Sequence, residues 1–287
     1  MVSLYAMQAL HGLVYGMLLF LVASGLTLIF GLLRVLNIAH AAFYMLGAYL
    51  AYAIVTLTEN FWLSLFVAPT IVGLLGAAVE YGLLRRIRGH GHEYELLLTL
   101  GLFYMISDAT RWIWGNYTLE VPTPSLLVGS IPLLGGLYPK YRLFILAFSG
   151  LICVLMGVVL KRTRLGIVIL SCVSDREMVS TLGIDTALVM TTVFGFGSAL
   201  AAIAGVVAAP FLQVDPSMGQ AILVDTFVVV VIGGFGSLSG ALIASILTGE
   251  IKSFGILFVP QFALVFQFLL MAAVLIVRPQ GLLGNKP

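Results

Sequence analysis

The chain has 287 residues, 61% of them hydrophobic and only 9% Asp, Glu, Lys or Arg. Soluble domains carry roughly 25% charged residues, so a water-facing fold is excluded. Fourteen Lys plus Arg against twelve Asp plus Glu leave a formal charge of +2, too even and too sparse for a nucleic-acid surface or a polybasic membrane patch.

The bilayer is therefore the solvent. The expectation is a single all-α polytopic membrane domain over 1–287, with about eight or nine transmembrane helices that include a broken or re-entrant segment near 222–236. The opening MVSLYAMQAL lacks Lys and Arg, so it has no basic region of a cleavable signal peptide and is expected to stay on. Charge-free runs locate the spans, because an ionisable side chain at the bilayer centre costs several kcal/mol and a span needs ~20 apolar residues. In chain order they fall near 7–31, 38–58, 61–84, 94–114, 141–160, 187–211, 222–235, 237–256 and 260–277. Asp108 and Arg111 share the fourth at a helical spacing of three, where they can neutralise each other. The stretch 115–140 contains Pro122, Pro124, Pro132 and Pro139, which break a helix repeatedly, and reads as a long extracytoplasmic loop. Cys153 and Cys172 are too few for a disulfide framework and read as packing residues.

Lys and Arg favour the cytoplasmic side. With the N-terminus outside, nine crossings put Arg34, Arg85, Arg86, Arg88, Lys161, Arg162, Arg164, Arg176, Arg278 and Lys286 inside. Arg111, Lys140, Arg142 and Lys252 remain outside, and the C-terminus is cytoplasmic. The segment at 222–235 is the exception in length, since it ends at Gly233, Gly234, Phe235 and Gly236. A re-entrant path there would reduce the crossings to eight and move the C-terminus outside.

Helices in lipid associate through small residues. Gly12 with Gly16, Gly197 with Ala201 and Gly205, and Gly236 with Gly240 and Ala244 have the required spacing. Two places break the helical pattern away from the outer loops: Asn37 to His40, and the glycine turn at 233–236. Interrupted segments in both halves of a chain point to a transport pathway. Asn37, His40, Gly47, Gly233, Gly234, Gly236, Ser237 and Gly240 are thus candidates for lining a path or for helix packing. His11, His40, Glu80, Asp108, Asp225 and Glu250 are the intramembrane polar groups. None has metal-ligand spacing, the His90, His92, Glu93 and Glu95 cluster lacks a second His four residues on, and no phosphate loop or catalytic set is present. No metal site, cofactor or catalytic residue is expected in this chain.

The basic connection 161–185 contains SDREMVSTLGID. Ser174 and Glu177 have capping-box spacing, Asp175 suits the first turn, and Gly183 supplies a left-handed stop. This spacing predicts a helix of about eight residues with Met178, Val179 and Leu182 on one side. It fits either an interfacial helix packed on its own bundle or a peg for a cytoplasmic partner.

The strings GLLRVLNIAHAAFYMLGAY (Gly31–Tyr49), TLGL from Thr99, VIGGFGSLSGALI (Val231–Ile243) and VRPQGLLG from Val277 together resemble the inner-membrane permease subunits of branched-chain amino-acid ABC importers, of the LivH type. The likeness spans nearly the whole chain. It departs at Ala41, where relatives usually have Gly, and at IVILSCV ahead of the short helix. The resemblance implies that Asp175, Glu177, Leu182, Gly183 and Ile184 form the segment that docks on an ATPase. It also implies a homologous second permease subunit, two cytoplasmic ATPase subunits holding ATP and Mg, and an extracytoplasmic solute-binding protein in a bacterial or archaeal cytoplasmic membrane. Transport would proceed by alternating access. The other readings are an ion-coupled secondary transporter and a passive channel for small solutes such as urea or short amides.

Overall fold

The computed structural model describes residues 2–133 and 135–284, and the expected inside residue Lys286 lies outside them. Eight helices are long and apolar enough to cross a bilayer. They are α1 (Val2–Leu33), α2 (Ala39–Thr58), α3 (Phe61–Ile87), α4 (His92–Trp114), α5 (Lys140–Arg162), α8 (Thr186–Leu212), α10 (Leu238–Phe258) and α11 (Ala263–Val277), the last preceded by a 3-10 turn. Two short helices, α6 (Arg164–Ser174) and α7 (Arg176–Thr181), fill the basic connection, and α9 (Met218–Gly233) is intermediate in length.

Helix α9 covers most of the segment expected to be broken or re-entrant, and the chain leaves the helix at Gly234, where φ is 93°. It is one unbroken helix of 16 residues, about 24 Å long at 1.5 Å per residue. Ahead of it, Val214 bridges to Leu119 in the loop after α4; behind it, Ile232 and Gly233 accept from the N–H groups of Leu282 and Leu283 near the end of the chain. It therefore passes between two opposite faces of the bundle.

The other discontinuity lies between α1 and α2, as expected from Asn37 to His40. Arg34 takes φ 55°, residues 34–37 run without helix, and the His40 imidazole sits 2.9 Å from the Val22 carbonyl. Val22 is eleven residues before the end of α1, roughly 16 Å back along that helix. The chain thus folds back along α1, and α2 begins deep inside the bundle, where protein surrounds the non-helical backbone.

Helices α1, α2 and α8 form the centre. Glycine makes this possible: a Cβ at Gly47 would meet the Ala202 backbone at 2.5 Å, and one at Gly25 would meet the Gly197 carbonyl at 2.5 Å. Side chains that stack on these bare surfaces, such as Phe43 against Phe194 edge-on at 6.3 Å, complete the contact. Helices α5 and α11 lie at the periphery and expose Leu151, Val154, Leu264 and Leu269, as lipid-facing helices do.

The proline-rich loop is more ordered than its composition suggests. Strands β1 (Ser130–Leu133) and β2 (Gly136–Pro139) pair antiparallel, with Pro132 opposite Leu137. Proline is tolerated because each strand of a two-stranded ribbon has a free edge. The hairpin defines one face of the bundle. His11 stacks on Tyr138 at 5.1 Å, and burial pushes the Tyr138 phenol above its ordinary range. The opposite face carries α6, α7 and the 233–236 turn, where Gly31 and Gly236 approach within contact of each other's built Cβ at 3.2–3.3 Å.

Candidate functional site

On the face opposite the hairpin, α6 and α7 fill the basic connection, where a single helix was expected. The Thr163 hydroxyl accepts from the N–H of Gly166 and starts α6, which folds tightly back on the end of α5. Cys172 is buried in a small apolar cluster with Leu32, Val179, Met190 and Val193, and that burial pushes its thiol up.

The start of α7 corrects the capping-box expectation. Its N-cap is Asp175, whose carboxylate accepts from the Met178 N–H at 2.9 Å. Ser174 still belongs to α6 and donates to the Leu170 carbonyl at 3.2 Å. The expected single face divides as well: Val179 is buried while Met178 and Leu182 are 59% and 72% exposed. Gly183 does take the left-handed conformation, with φ 81°, and Asp185 caps α8 through the N–H groups of Ala187 and Leu188. Asp175, Glu177, Leu182 and Gly183 are exposed, and Ile184 is half-buried against the Val179 cluster.

Beside this element lies a buried ion pair. Glu80 opens a π-helical turn in α3 and is fully buried; Arg88 donates to it at 2.6 Å, and the Thr191 hydroxyl of α8 donates to its other oxygen. The end of α3 is thereby tied to the start of α8.

The glycines singled out in the sequence lie at close backbone approaches. A Cβ at Gly240 would collide with the Gly233 carbonyl, Gly47 lies on Ala202, and Ser237 caps α10 by accepting from Gly240 N–H at 3.1 Å. Gly234 takes φ 93° and lies against Gln280 and Gly284. Asn37 and His40 differ in kind. Both are 1% exposed, and the Asn37 amide and His40 Nδ1 have no hydrogen-bond partner among the described residues. Asp108 and Arg111 pair at 3.2 Å as their spacing implied.

Sequence reasoning missed a cavity on the hairpin side. A cavity of about 580 Å³ opens toward the hairpin face between α1, α9 and α10. Asp225 and Lys252 pair at 2.6 Å on its wall. The Asp225 carboxylate also accepts from Tyr15 at 2.5 Å and from Gln267 of α11 at 2.9 Å, while Lys252 lies 4.5 Å above the Tyr15 ring. Arg142 of α5 and Asp215, ahead of α9, also line it. Asp225 was visible as an intramembrane carboxylate; that Lys252 on the following helix neutralises it was not. Glu250 lies apart from this network, against Gly12 of α1.

Residues 8–275 match the family described as branched-chain amino acid transport system, permease component. The chain is 30% identical to the high-affinity branched-chain amino acid transport system permease protein BraD of Pseudomonas aeruginosa, over 98% of this chain and 96% of that one. It is 27% identical to the LivH permease protein of Salmonella typhimurium, with the same coverage. To the probable branched-chain amino acid transport permease protein LivH of Methanocaldococcus jannaschii it is 26% identical, over 95% and 90% of the two chains. Among solved structures, PsaBC from Streptococcus pneumoniae in complex with Fab aligns with TM-score 0.50 at 13% identity, covering 93% of this chain and 89% of that chain, a likeness of fold alone.

Proposed function

The chain belongs to the permease-component family of branched-chain amino acid transport systems, and from that premise we propose that it carries leucine-like amino acids across the membrane as one subunit of an ATP-driven importer. It is a multi-pass protein of the cytoplasmic membrane and a transport subunit, in a family that leaves ATP and Mg to separate subunits. In the full assembly it pairs with a second, homologous permease subunit, rests on two ATPases and receives solute from an extracytoplasmic binding protein.

The hairpin face is extracytoplasmic, and the face with α6 and α7 is cytoplasmic. The basic residues Arg85, Arg86, Lys161, Arg162 and Arg164 near the latter support this orientation. Helix α7 is the coupling element. The observation that carries this reading is its two-sided burial: Val179 anchors it to the bundle, while Met178 and Leu182 remain free for a partner. Asp175, Glu177, Gly183 and Ile184 complete the segment. ATPase closure would press on α7 and, through the Val179 cluster, on α8 and α1.

An ion-coupled carrier needs a carboxylate free to exchange a cation. Asp225 is held by Lys252, Tyr15 and Gln267, so it does not favour that alternative. The test is purification of the importer in mild detergent, identification of co-purifying chains, and stimulation of ATP hydrolysis by the binding protein loaded with leucine. Failure of leucine to stimulate, with stimulation by an amide or urea instead, would overturn the substrate assignment.

A further inference from the structure

The cavity on the hairpin face holds four charged side chains in two different situations. Asp225 and Lys252 neutralise each other, and both carboxylate oxygens of Asp225 are occupied, one by Lys252 and Tyr15 and the other by Gln267. Arg142 and Asp215 are not paired. The Arg142 guanidinium donates to His11 Nδ1 at 2.7 Å and lies 4.9 Å from the Phe211 ring centroid, with no carboxylate within 4.0 Å among the described residues. Donation requires an unprotonated acceptor nitrogen, so His11 positions the guanidinium without supplying countercharge. Among the described residues the Asp215 carboxylate accepts only from Ser217, through its backbone N–H at 2.7 Å and its hydroxyl, both on one oxygen, and it meets no cation.

One uncompensated positive and one uncompensated negative group therefore line the same cavity, whose remaining wall includes Val14, Phe211 and Ile222. Its volume of about 580 Å³ falls within the roughly 300–1,000 Å³ usual for small-molecule sites. A free carboxylic acid would leave Asp215 unmatched, and an amine would leave Arg142 unmatched. A solute with both charges on one carbon and an apolar side chain satisfies all three surfaces.

We propose that this cavity is a binding site for the zwitterion of an apolar α-amino acid, with Arg142 holding the carboxylate, Asp215 the ammonium, and Val14, Phe211 and Ile222 the side chain. The proposal rests on the permease reading above and adds a solute site within this chain to the one on the binding protein. A planar guanidinium suits the bidentate geometry of a carboxylate. The ion pair of Asp225 and Lys252 keeps the adjoining wall neutral, so it does not compete for the solute's charges.

The experiment uses the assembled importer in lipid nanodiscs without binding protein. It measures equilibrium binding of labelled L-leucine and of 4-methyl-2-oxopentanoate, which keeps the carboxylate and branched chain but lacks the ammonium. Arg142→Gln should weaken both by about tenfold or more, and Arg142→Lys should restore part of the loss. Asp215→Asn should weaken leucine by about tenfold and leave the oxo acid unchanged. The proposal is overturned by absence of saturable leucine binding to the unaltered complex, by unchanged leucine affinity in both variants, or by equal loss of leucine and oxo acid in Asp215→Asn, which marks a site for carboxylates only. Binding-protein-driven leucine uptake by the unaltered importer separates the two claims. Uptake together with unchanged affinity in the variants removes this site and keeps the permease reading, whereas no import of any apolar amino acid removes that reading itself.

Discussion

Asp225 of α9 and Lys252 of α10 form a 2.6 Å ion pair whose side chains are only 5% and 25% exposed. Removing one partner of a buried pair leaves the other charge uncompensated, at a cost of ~3–5 kcal/mol. Lys252 retains some solvent, so its loss sits at the lower end. We expect Lys252→Met alone to lower the yield and thermal midpoint of the purified complex. Asp225→Asn combined with Lys252→Met should recover much of that loss. Equal midpoints for the single and double variants would show that the pair carries no such coupling.

The ion pair of Glu80 and Arg88 makes a parallel case at the other face. Glu80 is fully buried and Arg88 is its cationic partner, so Arg88→Ala should destabilise by ~3–5 kcal/mol and loosen the junction of α3 with α8. Protease cleavage in the 88–91 connection should increase in that variant. Unchanged proteolysis would place the stability of this junction elsewhere.

The two neighbouring residues at the start of α7 should behave differently on substitution. Asp175→Ala removes the N-cap and should cost about 0.5–2 kcal/mol locally, whereas Ser174→Ala deletes only a hydroxyl bonded within α6. Transport and binding-protein-stimulated ATP hydrolysis should fall together in Asp175→Ala and stay near normal in Ser174→Ala. The opposite order would mean that the helix begins one residue earlier when docked on its partner.

Gly47 faces the Ala202 backbone so closely that any side chain must push α2 and α8 apart. Overpacking typically costs ~1–3 kcal/mol, and backbone on the receiving side leaves little room to yield. Gly47→Leu should abolish assembly, and Gly240→Leu, aimed at the Gly233 carbonyl, should do likewise. Gly101 and Gly150 have nothing within 4 Å of a built Cβ, so alanine at either should be tolerated. Normal yield of Gly47→Leu would disprove the close contact.

The membrane orientation is open to labelling. With Cys153 and Cys172 replaced, a cysteine at Ser180 should resist impermeant thiol reagents in intact cells, while one at Ser125 should react. Reversal of the two would invert the topology.

Composition and spacing determined the class of this protein and most of its spans, because the cost of an ionisable group in hydrocarbon leaves long charge-free runs that any reader of the chain can measure. Local chemistry also sufficed for Gly183, whose left-handed stop needs only its missing Cβ, and for Asp108 with Arg111, one helical turn apart. The cap of α7 was misplaced by one residue, since Ser174 and Asp175 are both good caps and the choice depends on where α6 ends. Tertiary structure alone decided the return of residues 34–37 along α1, because a chain reversal inside the bundle depends on which surfaces surround it. It also decided the cavity: Tyr15, Arg142, Asp215, Asp225 and Lys252 come from five separate places in the chain. Charge-free windows register where a charge is missing and carry no information about which distant helix supplies its partner. The pairing of Asp225 with Lys252, and the lack of any such partner for Arg142 among the described residues, exist only once those helices are packed side by side.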